Sequence, residues 1–306
     1  MTTTFNTMPT SALRRPVVRH AIIAALAFLI VVVLPACSFV RLGYGQASPL
    51  AFRWLDRYVD FDDAQSLKVR TALDDLVAWH RRTQLPDYVQ LLARAESEVV
   101  GDATPERMCA WAGDIRGRMA PVLQYLAPTI AEVAVTLSPA QIAHIEKRIA
   151  ESNDDYRDDH LQRNPQRRHK AQVKREVERA EFLYGDLDEA QRQLVSASVN
   201  DSPYSAEVGY AERRQRQQDL IALLQRLRDT TPGRDEAIAQ VRAYLDGIDR
   251  SPREAYRRYA DRLLAHQCAL ASALHNRASA AQRRDAARKL AGYREDLRSL
   301  IGDAAS

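Results

Sequence analysis

Six prolines in this chain directly follow a serine or threonine, at Ser48-Pro49, Thr104-Pro105, Ser138-Pro139, Ser202-Pro203, Thr231-Pro232 and Ser251-Pro252. That pair suits the first turn of a helix. The hydroxyl oxygen accepts from an orphan backbone N–H, while proline at the first helical position has no N–H to leave unsatisfied and a φ already suited to the helix. Each pair therefore predicts a helix start, and Ser251-Pro252-Arg253-Glu254 adds the glutamate of a capping box.

A second signal places an apolar residue, a cap residue, two further residues and then glutamine. It occurs as Phe61-Asp62-Asp63-Ala64-Gln65, Leu137-Ser138-Pro139-Ala140-Gln141 and Leu187-Asp188-Glu189-Ala190-Gln191, with a degenerate copy at Ala278-Ser279-Ala280-Ala281-Gln282. The glutamine stands where its side chain can reach back to the cap N–H, and the apolar residue can staple the entry turn. The copies are unequally spaced, which excludes a solenoid period.

Between these starts apolar residues recur at three and four, as in Leu73, Leu76 and Val77 or Leu220, Leu223, Leu224 and Leu227. No segment alternates apolar and polar for the length of a strand. The expected fold is all-α, a multi-helix bundle with a long charged helical hairpin or arm. Helices are expected near 49–59, 62–82, 86–100, 105–126, 129–136, 139–162, 166–184, 188–199, 203–229, 232–248, 252–275 and 279–301. The arm is read from residues 151–181, where Glu151, Asp154, Asp155, Asp158 and Asp159 precede Arg163, Arg167, Arg168, Lys170, Lys174 and Arg175. A helix polar on nearly all sides cannot lie deep in a core, so those six basic residues are candidates for an interaction surface. The break at Asn164-Pro165 divides 48–162 from 163–306, two halves of one continuous domain.

The first 36 residues carry Arg14, Arg15 and Arg19, no acidic residue, and an apolar stretch from Ala21 to Leu34. They follow the pattern of an export signal, and 14 apolar residues fall short of the roughly 20 that a membrane-spanning helix needs. Leu34-Pro35-Ala36-Cys37 resembles the lipobox of bacterial lipoproteins, which implies a signal peptide over 1–36, lipidation at Cys37 and a tether over 37–47. Ser38 in place of aspartate favours the outer membrane, facing the periplasm. Without the three signal arginines, 41 basic groups face 40 acidic ones, so bulk charge gives no support to nucleic-acid binding.

After Cys37 only Cys109 and Cys268 remain, and in an oxidising compartment the pair is a disulfide candidate, the alternative being two buried thiols. No phosphate-cradling glycine loop, paired-histidine zinc helix or nucleophile elbow is present. His266, Cys268 and His275 are near one another in sequence, but residues 266 and 268 project about 200° apart on a helix, against a metal site. Trp79-His80 reads as an amphipathic helix face. Trp54, Tyr58 and Phe61 share a face at helical spacing, for core packing or for contact with a membrane interface.

Arg41-Leu42-Gly43-Tyr44 after the lipobox cysteine, then Trp54-Leu55-Asp56-Arg57-Tyr58, Trp79-His80-Arg81 and Leu85-Pro86, resemble an uncharacterised family of proteobacterial lipoproteins. The likeness continues through Gly185-Asp186-Leu187 with Gln191 to Leu274-His275-Asn276, Gln282-Arg283 and Gly292-Tyr293, over nearly all of the mature chain. It implies no catalytic residues. The apolar-cap-x-x-glutamine starts also resemble the LTxxQ motifs of Spy-like periplasmic chaperones, with serine or aspartate in place of threonine. The expected protein is a lipid-tethered helical binding or chaperone-like protein without catalytic residues, cofactor or metal. Its partners would be the membrane, through the anchor, and an envelope protein or unfolded client. The alternatives are an envelope hydrolase whose site assembles only in three dimensions, or a structural tether.

Overall fold

The computed structural model describes residues 39–302; the expected signal peptide and Cys37 lie outside them. The described chain is helical, with no strand among the described residues. The helices are α1 (Phe39–Gly45), α2 (Ala47–Val59), α3 (Asp63–Thr83), α4 (Leu85–Glu98), α5 (Pro105–Gly117), α6 (Met119–Ala134), α7 (Pro139–His160), α8 (Pro165–Tyr184), α9 (Glu189–Asn200), α10 (Ala206–Thr230), α11 (Arg234–Asp249), α12 (Glu254–Asn276) and α13 (Ala280–Gly302). Of the described residues, 45–302 form one compact unit. No described helix is long and apolar enough to cross a membrane.

All four cap-x-x-glutamine signals form capping boxes. Gln65 N–H donates to Asp62 and the Asp62 N–H donates to Gln65, and Ser138 with Gln141, Asp188 with Gln191 and Ser279 with Gln282 repeat the exchange. The glutamines do more than cap, because they meet in pairs. Gln141 Nε2 donates to Gln65 Oε1 (2.6 Å) and to the carbonyl of Asp60 (2.8 Å), while Gln65 Nε2 donates to the carbonyl of Thr136 (3.2 Å). In the second pair Gln191 Nε2 donates to Gln282 Oε1 (2.8 Å) and to the carbonyl of Arg277 (3.1 Å), and Gln282 Nε2 to the carbonyl of Asp186 (2.9 Å). In every case the carbonyl belongs to the residue two before the partner's cap. Each glutamine thus satisfies the loop entering the opposite helix, and Gln65 and Gln191 are buried doing so.

The repeated clasp marks an internal duplication, with α2–α7 matched by α8–α13. The clasp helices α3 and α7 correspond to α9 and α13. The helices before them, α2 and α8, pack against both members of their clasp. The halves are interlaced rather than side by side. One core joins Phe52 of α2, Leu73 of α3, Ala131 of α6 and Ile142 of α7 to Leu227 of α10 and Val241 of α11. The other joins Val177 of α8, Val195 of α9, Leu274 of α12 and Ala286 of α13 to Val99 at the end of α4. Helix α11 lies on α6 as α5 lies on α12, and α10 lies on α7 as α4 lies on α13. Each half therefore lends its second and third clasp-to-clasp helices to the other half's module.

Several starts differ from the hydroxyl-proline rule. Thr104 and Ser138 cap their helices as expected. Ser48 and Pro49 instead lie inside α2, with Ser48 Oγ donating to Asp74 of α3 (2.5 Å). Ser202 and Ser251 each accept from the N–H two residues on, forming serine turns just outside helices that begin at Ala206 and Glu254, so the capping box of Ser251 and Glu254 does not form. Thr231 ends α10 in the left-handed region (φ 40°) instead of starting α11. The break expected between the helices 105–126 and 129–136 falls at Arg118 instead. Pro121 sits in the first turn of α6, where no intrahelical N–H bond is required; Pro128 lies within α6 and removes one such bond.

The charged stretch forms α7 and α8 with the bend at residues 161–164. Its acidic limb is laid along α10: Asn153 is buried, accepts from Arg213 Nε (2.9 Å) and donates to Gln217 (2.8 Å), and Arg157 donates to the Tyr210 hydroxyl (3.0 Å).

Candidate functional site

The chain crosses between modules at the α5–α6 junction and again at the α11–α12 junction. These two crossovers run beside each other, and the space between them is an open cleft of about 790 Å³. Met119, Leu123, Leu245, Ile248 and Tyr256 give it apolar walls, with Arg116, Arg250, Asp249 and Asp261 on its rim. Leu245 is buried in the floor, whereas Met119 is 57% and Ile248 36% exposed. Apolar side chains this exposed at the mouth of a concave surface are the feature that singles the cleft out.

One wall is braced by ion pairs. Glu212 of α10, 6% exposed, accepts from Arg216 Nε (2.8 Å) and faces Arg253 (3.4 Å), which also pairs with Asp219. Arg216 donates to the carbonyl of Ile248 (2.8 Å), and its guanidinium stands 5.6 Å from the Tyr256 ring centre. A second hollow of about 410 Å³ shares Arg216 and Ile248 and reaches Tyr244, Gly247 and Pro252. Gln124 of α6 donates to Asp246 of α11 (3.1 Å) across the floor. Burial pushes the Tyr244 and Tyr256 phenols up, so both remain hydrogen-bond donors and not bases. Charges held in such braces fix the wall's shape. What remains open is apolar surface with mixed charge at the rim, suited to holding an extended chain or an apolar group.

The residues expected to matter from sequence are distributed elsewhere. Cys109 of α5 and Cys268 of α12 are joined, Cα–Cα 5.3 Å. His266 Nε2 contacts the hydroxyl (3.0 Å) and carbonyl (2.9 Å) of Ser198. His275 is buried; its Nε2 lies 2.6 Å from the Gly101 carbonyl and so carries the proton, leaving Nδ1 to accept from the Tyr184 hydroxyl (2.7 Å). Burial pushes that phenol up to about 12. Cys268 and the two histidines thus face three different sets of partners, and among the described residues no cluster of His, Cys, Asp or Glu could hold a metal.

Trp79 stacks on Tyr125 (4.5 Å), and His80 meets Tyr88 edge-on (5.3 Å), with burial holding its pKa below the ordinary value. Trp54 and Tyr58 share a face of α2 (5.0 Å), but Phe61 does not: α2 ends at Val59, Asp60 turns left-handed (φ 57°), and Phe61 swings inward to Phe52 (6.0 Å). Of the basic residues, Arg168 pairs with Glu207 (2.7 Å) and Lys174 with Glu178 (3.6 Å), while Arg163, Arg167 and Lys170 are exposed. Arg175 is half-buried near His160 and Tyr204; burial, with Arg175 beside it, holds the histidine low.

The cleft residues themselves were not foreseen. Their only trace in the sequence is that two helix junctions, at residues 117–119 and 249–254, fall at matching places in the duplicated order.

Fold and cleft define a helical protein of two interlaced modules with an open cleft at their seam. The chain belongs to the family of unknown function DUF6279, which matches residues 57–257. The match is shorter at both ends than the sequence likeness suggested, stopping before Cys268 and Gln282. No curated protein and no solved structure matches the chain.

Proposed function

We propose that this protein is a lipid-anchored, non-catalytic binding protein of the periplasmic face of the outer membrane, and that it acts as a chaperone-like holder of extended clients. The observation that carries this reading is the seam cleft, where exposed Met119 and Ile248 flank a buried floor between crossovers that the fold holds at a fixed spacing. Apolar side chains of a client would enter the cleft while its polar backbone meets the mixed charges at the rim. The lipobox at Cys37 and the LTxxQ-like helix starts support the same assignment from the sequence.

The test follows aggregation of a reduced, unfolded reporter protein with and without the mature chain. The wild type should delay aggregation at equimolar amounts, and Met119→Glu with Ile248→Glu, both surface changes, should abolish the delay without lowering Tm. Equal aggregation with and without the wild type would sink the reading. In cells, the Cys37→Ser protein should leave the membrane fraction.

A further inference from the structure

We propose that the outward face of α2 is a membrane-docking face that seats the protein on the headgroups of an anionic bilayer. The proposal rests on the lipid-anchor reading for its geometry, and on α2 itself for its chemistry. Leu50, Arg53, Trp54 and Arg57 recur at the helical spacing of one face, and all four are exposed, Leu50 at 54% and Trp54 at 57%. The inward face carries Phe52, which is buried, and projects about 200° from either apolar member of the outward face. Two arginines and no carboxylate share the outward face. Asp56 is turned aside, accepting from the Phe61 N–H (3.1 Å).

The duplicated half supplies the control. Counting back from the positive-φ residues that end each helix, Asp60 for α2 and Gly185 for α8, Phe52 matches Val177, and both are buried. At the same register Trp54 matches Arg179, which is also exposed. The fold therefore accepts arginine at this position, and core packing does not account for tryptophan in the copy nearest the anchor. Distance does. From Cys37 to Ala47 the chain can reach at most roughly 35 Å even if fully extended, so an acylated Cys37 keeps α2 close to the bilayer surface. Tryptophan and arginine are the side chains suited to that layer, one amphipathic at headgroup depth and the other drawn by anionic lipid. Because the acyl chains supply the anchoring, the face has only to orient the protein.

The experiment tethers the mature chain chemically by coupling Cys37 to a maleimide phospholipid, the other two cysteines being bonded to each other. The vesicles contain phosphatidylglycerol and phosphatidylcholine, with or without bromine on the acyl chains. Bromolipid quenching is read as the difference between wild type and Trp54→Phe, an exposed substitution that leaves the core untouched. The Trp54 contribution should fall roughly twofold in brominated vesicles. It should recover when Arg53 and Arg57 are both changed to Gln, or when phosphatidylglycerol is omitted. Equal Trp54 emission in brominated and plain vesicles would overturn the docking face. Native acylation does not enter this result, since the tether is synthetic; the anchor stands or falls separately on the Cys37→Ser fractionation.

Discussion

At the scale of single residues, the two glutamine clasps are the most demanding feature of this protein. Gln191 is 2% exposed and serves four partners: the Asp188 N–H, the Arg277 carbonyl and both ends of the Gln282 amide. Gln191→Ala removes these four bonds and leaves the Gln282 amide only the Asp186 carbonyl and the Ser279 N–H. A hydrogen bond contributes about 0.5–1.5 kcal/mol net, so the substitution should lower stability by roughly 2–4 kcal/mol. Gln282→Ala, at a more exposed position, should cost less. The double variant should cost less than the two combined, because each single change already spoils the shared bonds. Denaturant titration of the three variants measures this, and strict additivity would show that the clasp is not a unit. The capping half of this feature was legible, since a glutamine three residues after Asp or Ser has a local reason to be there. The pairing was not, because Gln65 and Gln141 are 76 residues apart and only the packed helices bring them together.

Among the elements, α5 and α11 hold equivalent places and are held in different ways. Helix α11 buries Ala237, Ile238, Val241 and Leu245 against its module, whereas α5 buries no residue. What α5 has instead is Cys109, bonded to Cys268 on α12, with Arg107 reaching back to Glu98 (2.5 Å) and Trp111 Nε1 donating to the same carboxylate (3.0 Å). The arginine, with the indole assisting, keeps that carboxyl below its usual range. A helix without buried side chains draws little from the hydrophobic effect, so its docking depends on the covalent link. Cys109→Ser with Cys268→Ser should therefore raise amide exchange across residues 105–117 well above that in α11. Unchanged protection in α5 would show that packing alone holds it. The pairing of the cysteines followed from their being the only two left, but what it is for emerged only once α5 proved to have no buried face.

For the whole molecule, interlacing sets how it comes apart. Neither core can be completed by one half of the sequence, since α10 and α11 fill the first and the end of α4 closes the second. Loss of one module removes partners from the other, and unfolding should be a single cooperative transition. Trp79, stacked on Tyr125 in the first module, and Trp111 on α5 in the second report on the two separately. Their unfolding curves, read in Trp79→Phe and Trp111→Phe variants that also carry Trp54→Phe, should coincide, whereas two separated midpoints would show that the modules are independent. By itself the sequence determined the helices, the caps at Asp62, Thr104, Ser138, Asp188 and Ser279, and the all-α class, because capping and helical periodicity are local effects that act within a few residues. The exchange of helices between halves, the clasps and the seam cleft were decided by tertiary structure. They depend on which amphipathic face finds which partner across tens of residues, and hydrophobic burial, being non-directional, leaves no address for that choice in the local sequence.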